Sequence, residues 1–168
     1  MTIDSPADLF EHKLRQLYYV ETQLVDQLDR MAMTAENDKM SARLADHRDE
    51  TREHVSRLET VFDEIGVPPA PIEDPVMDAI ASEREEYEAE LGGDMRDLSY
   101  MIGGMLTERV EMTGYEGLLM LAERLEYDDA IIDPLEANHD DEESAYRELD
   151  AMATASDMKS FWERITPS

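Results

Sequence analysis

The chain has 168 residues, of which 42% are apolar, enough for one domain with a buried core. It has no cysteine, which excludes disulfides, thiolate catalysis and zinc–thiolate sites. Acidic residues outnumber basic ones 42 to 15 and give a net charge of −27, with no basic stripe to neutralise phosphates, so nucleic acid is excluded as a partner.

Ser5-Pro6 is an N-cap with proline at the first helical position, and a first long helix is expected from Pro6 to Thr34. Ala35 to Asp38 form a short turn. The second long helix runs from Asp38 to Ile65 and stops at Gly66, before Val67-Pro68-Pro69. A connection with Pro71 and Pro75 follows, and Val76 to Leu91 within it read as a shorter helix ending at Gly92-Gly93. The third long helix spans Asp94 to Leu125, and Glu126 to Asp129 are the second tight turn. The fourth runs to about Thr154, with Pro134 either in its first turn or kinking it. Ser156-Asp157 cap a last short helix carrying Phe161, Trp162 and Ile165. No stretch alternates with period two for long enough to be a strand. No apolar run approaches the roughly 18 residues of a membrane span, and the polar, acidic N-terminus lacks a signal-peptide pattern, so a cytoplasmic protein without membrane partners is expected.

Short turns make the first and second helices antiparallel, and likewise the third and fourth. The long crossover returns the third helix parallel to the second. The expectation is a single domain over residues 1–168, all-α, an antiparallel four-helix bundle of ferritin-type connectivity.

Buried positions of such a bundle recur with 3,4 spacing. The first helix reads Phe10, Leu14, Leu17, Glu21, Leu24, Leu28, Met31. The second reads Met40, Leu44, His47, Thr51, His54, Leu58, Val61, Ile65, with Glu50 one turn from His47. The third reads Leu98, Met101, Met105, Glu108, Met112, Tyr115, Leu119, Ala122, with Glu111 one turn on. The fourth reads Ile131, Leu135, Asn138, Glu142, Ala145, Leu149, Met152, with His139 one turn before Glu142. Every apolar stripe is broken near its middle by carboxylate or imidazole. Residues three apart share a helix face, so His47/Glu50, Glu108/Glu111 and His139/Glu142 can each point together. Buried carboxylates repel one another and lose hydration, and metal ions remove both problems. Glu21 and Glu50 are equidistant from the first turn, and Glu111 and Glu142 from the second, which places each pair at one height. The candidate metal ligands are Glu21, His47, Glu50, Glu108, Glu111, His139 and Glu142. His54 is assigned a structural or exposed role, and Gly103-Gly104, mid-helix, are read as allowing close packing.

Several stretches resemble the YciE/YciF-like branch of the ferritin-like superfamily. They are Leu17 to Leu24 in the first helix, His47 to Thr51 with Arg57-Leu58-Glu59 in the second, Glu108 to Glu111 with Gly114-Tyr115 and Leu121-Ala122-Glu123 in the third, and Asp141-Glu142-Glu143 in the fourth. The resemblance covers about residues 8 to 150. It implies a ferritin-like bundle, usually dimeric, with a di-metal carboxylate site and an association with stress. Glu21, Glu50, Glu111 and Glu142 would then be the core carboxylates, with Glu108 close by. The sequence departs from the wider pattern in the order of its histidines: His47-x-x-Glu50 and His139-x-x-Glu142 reverse Glu-x-x-His. Arg109 stands where relatives often carry histidine.

Two functions follow as expectations. One is a di-metal protein with two ions per chain, iron favoured and manganese or zinc acceptable. It would act as a ferroxidase or peroxidase in stress or iron handling, with Tyr115 near the site as hydrogen-bonding partner or electron donor. The other is a non-catalytic dimeric scaffold or stress protein with a vestigial or structural metal site. The charge, far beyond the magnitude of about 2–8 usual for a small domain, points to a salt-accumulating halophile.

Overall fold

The computed structural model describes residues 2–154, and the short C-terminal helix expected around Phe161, Trp162 and Ile165 lies outside them. Five helices follow one another: α1 Pro6–Thr34, α2 Asp38–Glu64, α3 Pro75–Glu90, α4 Asp94–Arg124 and α5 Asp129–Thr154, with no strand among the described residues. α1 pairs with α2 and α4 with α5, and the two hairpins close a four-helix ring through α2 on α5 and α1 on α4. α3, in the crossover, lies against α4. This is the ferritin-like four-helix bundle with its long second connection. No helix among the described residues is long and apolar enough to cross a membrane.

Local chemistry sets the helix ends. The Ser5 hydroxyl oxygen accepts from the Asp8 amide at 3.1 Å, and Asn37 Oδ1 accepts from the Lys39 and Met40 amides at 2.9 and 3.2 Å. α2 closes on Gly66 at φ 73°, with the Val67 amide reaching back to the Phe62 carbonyl at 3.1 Å. α4 ends in the same way, the Tyr127 amide reaching the Ala122 carbonyl at 3.1 Å, but its left-handed residue is Glu126 at φ 55°. Pro134 lies inside α5.

Two long-range ties fix the connections. Asp97 on α4 accepts from the Glu36 and Asn37 amides at 3.1 and 2.7 Å, pinning the α1–α2 turn. Arg15 on α1 donates to the Pro68 and Ala70 carbonyls, which draws the crossover along the bundle. Of the two central glycines of α4, Gly104 permits close packing, since a Cβ there would come within 3.0 Å of Leu149 Cδ1. Gly103 has nothing within 4 Å.

The apolar interior forms two clusters. One gathers Phe10, Leu14, Leu58, Phe62, Tyr115, Leu118 and Leu135 toward one end. The other gathers Leu24, Leu28, Met40, Leu44, Tyr100 and Leu149 toward the end that holds the α1–α2 turn. Between them lies a buried polar layer to which all four long helices contribute: Glu21, His47, His54, Glu108, Glu111 and Glu142.

Candidate metal centre

Each member of the polar layer occupies a stripe position where an apolar residue would otherwise pack, or the position one turn along from it. α1 supplies Glu21, α2 supplies His47 and His54, α4 supplies Glu108 and Glu111, and α5 supplies Glu142. Their ligating atoms form two groups, Glu21/His54/Glu142 and His47/Glu108/Glu142, and within each group the atoms lie within 4.8 Å of one another. Glu142 belongs to both.

In the first group, His54 Nδ1 sits 3.3 Å from Glu21 Oε2 and 2.9 Å from Glu142 Oε1. The Tyr115 hydroxyl donates to the other oxygen of Glu21 and accepts from Asn138 Nδ2 at 2.9 Å, so that carboxylate is held from two helices. In the second group, His47 Nε2 is 3.1 Å from Glu108 Oε1. Glu111, fully enclosed, offers two oxygens that have no hydrogen-bond partner, as do Glu108 Oε2 and Glu142 Oε2.

Each imidazole has a carboxylate behind it, but only His47 is hydrogen-bonded to its own. The outer nitrogen of His47, Nδ1, lies 3.3 Å from Glu50 Oε2, which in turn pairs with Arg43 Nη1 at 3.1 Å. The outer nitrogen of His54, Nε2, lies 3.4 Å from Asp141 Oδ2, which pairs with Arg57 Nη1 at 2.6 Å. A histidine turned inward with a carboxylate behind it is the usual setting of a metal-ligating imidazole.

The electrostatics describe a site short of positive charge. Burial, with the charges of Glu142, Glu21 and Glu108, holds the Glu111 carboxyl well above the usual carboxylate range. Burial also raises Glu21 against the opposing pull of His54. Glu142 is pushed up to about 7 by burial and by the neighbouring Glu108 charge. Burial opposes ionisation of Glu108 too, but His47 outweighs it and its pKa falls. Burial disfavours charge on the histidines, yet Glu108 carries His47 to about 10, and Glu21 with Glu142 carries His54 to about 11. Protons thus offset part of the carboxylate charge. Four carboxylates and two imidazoles, several of their oxygens unpartnered, are a donor set that can hold metal.

Five of the seven sequence-predicted ligands, Glu21, His47, Glu108, Glu111 and Glu142, lie together here. Glu50 and His139 do not. Glu50 falls one residue short of the Thr51 stripe position, and its side chain is 45% exposed and turned to Arg43 and the back of His47. His139 falls one residue past Asn138, at the bundle's edge, with Glu116 and Asp140 as its neighbours at 3.8 and 3.6 Å. His54, assigned a structural or exposed role, is 0% exposed and central. The signal for it was present: it sits two helical turns from His47 on the same inward stripe.

The donor count agrees with the ferritin-like pattern of four carboxylates and two histidines, but both histidines come from α2. Comparison with known proteins gives the same placement. The chain is 27% identical to Protein YciF of Escherichia coli over 129 residues, covering 76% of this chain and 78% of that protein. The crystal structure of the E. coli stress protein YciF superposes with a TM-score of 0.84 at 25% identity, over 90% of this chain and 96% of that one. YcfI of Rhodopseudomonas palustris, whose name assigns it a provisional structural role, superposes with a TM-score of 0.85 at 31% identity, over 92% and 96%. The family model described as Domain of unknown function (DUF892) matches residues 5–160, and the chain belongs to that family, the YciE/YciF-like branch of the ferritin-like fold.

Proposed function

We propose that the polar layer holds two metal ions per chain, iron favoured, one on each three-residue group with Glu142 common to both. The observation that carries this reading is the enclosure of carboxylate oxygens of Glu108, Glu111 and Glu142 without partners in the middle of an apolar core. An unpartnered buried oxygen costs about 1–3 kcal/mol, more when charged, and a cation converts that cost into binding. A di-iron pair would supply the electrons for reducing oxygen or peroxide, so the activity proposed is that of a ferroxidase or peroxidase in stress or iron handling. The chain's own residues prepare the site. Tyr115 fixes the orientation of Glu21, Glu50 aims the His47 imidazole, and the two apolar clusters keep bulk water out.

The acidic surface supports a cytoplasm rich in salt as the working environment. Exposed Ile102, Leu106 and Met120 on α4 support a homodimer, measurable as mass by sedimentation. A second reading, a non-catalytic scaffold, draws on the provisional structural role in the name of YcfI and on the ability of protonated His47 and His54 to balance the carboxylates without metal.

The deciding experiment measures metal per chain in protein purified at about 1 M salt. The wild type is set beside Glu142→Ala, His54→Ala, Glu50→Ala and His139→Ala. About two ions per chain are expected, with both lost in Glu142→Ala and the first group weakened in His54→Ala. Glu50→Ala should lose about 10–100-fold in affinity through the orientation of His47, and His139→Ala should match the wild type. No uptake by the wild type, or equal uptake by Glu142→Ala, leaves the scaffold reading in its place.

A further inference from the structure

Beside the candidate metal centre, all five helices line a cavity of about 50 Å³, walled largely by Leu24, Leu28, Tyr100 and Leu149, with His47 and Glu108 also on its lining. One wall is Arg84, the residue by which α3 turns a charge inward. Its Nη1 donates to Gln27 Oε1 at 2.6 Å, and its Nε meets Glu88 at 3.7 Å. Its Nη2 is buried and has no hydrogen-bond partner among the described residues. The other arginine on the cavity, Arg43, is already engaged by Glu50 and Glu148 at 3.1 and 2.5 Å. In a chain with 42 carboxylates, a guanidinium nitrogen left unmatched against an apolar cavity is a donor waiting for an acceptor that is not in the fold.

We propose that this cavity binds a short organic monocarboxylate, its carboxylate on Arg84 Nη2 and its apolar body among Leu24, Leu28, Tyr100 and Leu149. Two features select this class. A guanidinium matches a carboxylate in shape and charge, whereas the mostly apolar walls offer little to the additional oxygens of phosphate or sulfate. Size sets the chain length: a water needs about 10–15 Å³ of such space, so the cavity admits about four or five non-hydrogen atoms, the size of acetate or propionate. The site needs no metal, so it stands or falls separately from the metal centre.

The test titrates EDTA-treated protein in about 1 M KCl with propionate, following the methyl resonances of Leu24, Leu28 and Leu149, with propionamide as the neutral probe of the same shape. Saturable shifts at those methyls with propionate and none with propionamide are expected. Arg84→Met, which keeps an apolar stem, should weaken propionate about 10–100-fold, the worth of a hydrogen bond to a charged group. Arg84→Gln, which retains a donor for Gln27, should weaken it likewise and serves if the first variant does not fold. Shifts that grow linearly without saturation, equal binding of propionamide, or unchanged affinity in a folded Arg84 variant overturn the proposal.

Discussion

The metal-free protein should lose stability as pH rises, and Glu142 should carry a defined share of the loss. A carboxyl whose folded pKa is raised stabilises the fold below its unfolded pKa, and that contribution disappears as pH climbs through the folded value. For Glu142 the window runs from its ordinary 4.5 to about 7. At about 1.4 kcal/mol per pH unit, the loss across it is about 3 kcal/mol, undiminished by solvent because the group is enclosed. His47 and His54 add to the same trend in a later window. Their raised pKa values give stability that is complete below 6.5 and is lost as pH rises toward about 10 and 11. Urea unfolding of EDTA-treated protein at fixed high salt, followed by far-ultraviolet circular dichroism, should therefore show a midpoint that falls steadily with pH. Glu142→Gln should flatten the acid-side decline and, because Glu142 is one of the charges that raise His54, shorten the alkaline one, and should be more stable than the wild type above pH 7. Metal should reverse the wild-type trend, since binding requires deprotonated ligands. A metal-free midpoint that is level or rising between pH 4.5 and 7, or a Glu142→Gln curve parallel to the wild type, would refute the account of the buried layer.

Other consequences are more local. Glu126→Gly should raise stability by about 1 kcal/mol in thermal or urea unfolding, because it relieves a left-handed non-glycine residue and removes a negative charge from the carbonyl end of α4. Gly117→Ala should add about 0.5–1 kcal/mol, since an added Cβ meets nothing within 4 Å in the interior of that helix. Raising KCl from about 0.1 to 1 M, which shortens the screening length from about 10 to about 3 Å, should raise the unfolding midpoint of a chain carrying −27; an unchanged midpoint would count against a halophilic origin.

The helix limits were legible because each is set by a few adjacent residues. Ser5-Pro6 begins α1 and Gly66 closes α2 through bonds within one turn, and the expected bounds stand within about a residue of those found. The register of the second hairpin was legible as well: Tyr115 and Asn138, equidistant from the same turn that Glu111 and Glu142 flank equally, meet at 2.9 Å. The first hairpin is different. Glu21 faces His54, one turn beyond Glu50, since only residues on the Thr51 stripe point inward and Glu50 misses it by one position. Equal distance from a turn fixes height but not the angle about the helix axis. The ion pair of Arg57 with Asp141, which sets that carboxylate 3.4 Å behind His54, joins α2 to α5, and no spacing within either helix announces it.

That one side chain belongs to both three-residue groups makes the centre unusually exposed to mutation. Codons for glutamate and glutamine differ in a single first-position base, so one substitution at residue 142 takes a charge from both groups while leaving the apolar packing around it in place. By the same titration argument, the glutamine form would fold more tightly at neutral pH than its parent. On the proposed metal reading, the chain is therefore one base change from a sturdier bundle with an impaired centre. Where metal binding carries no advantage, stability alone would favour that change.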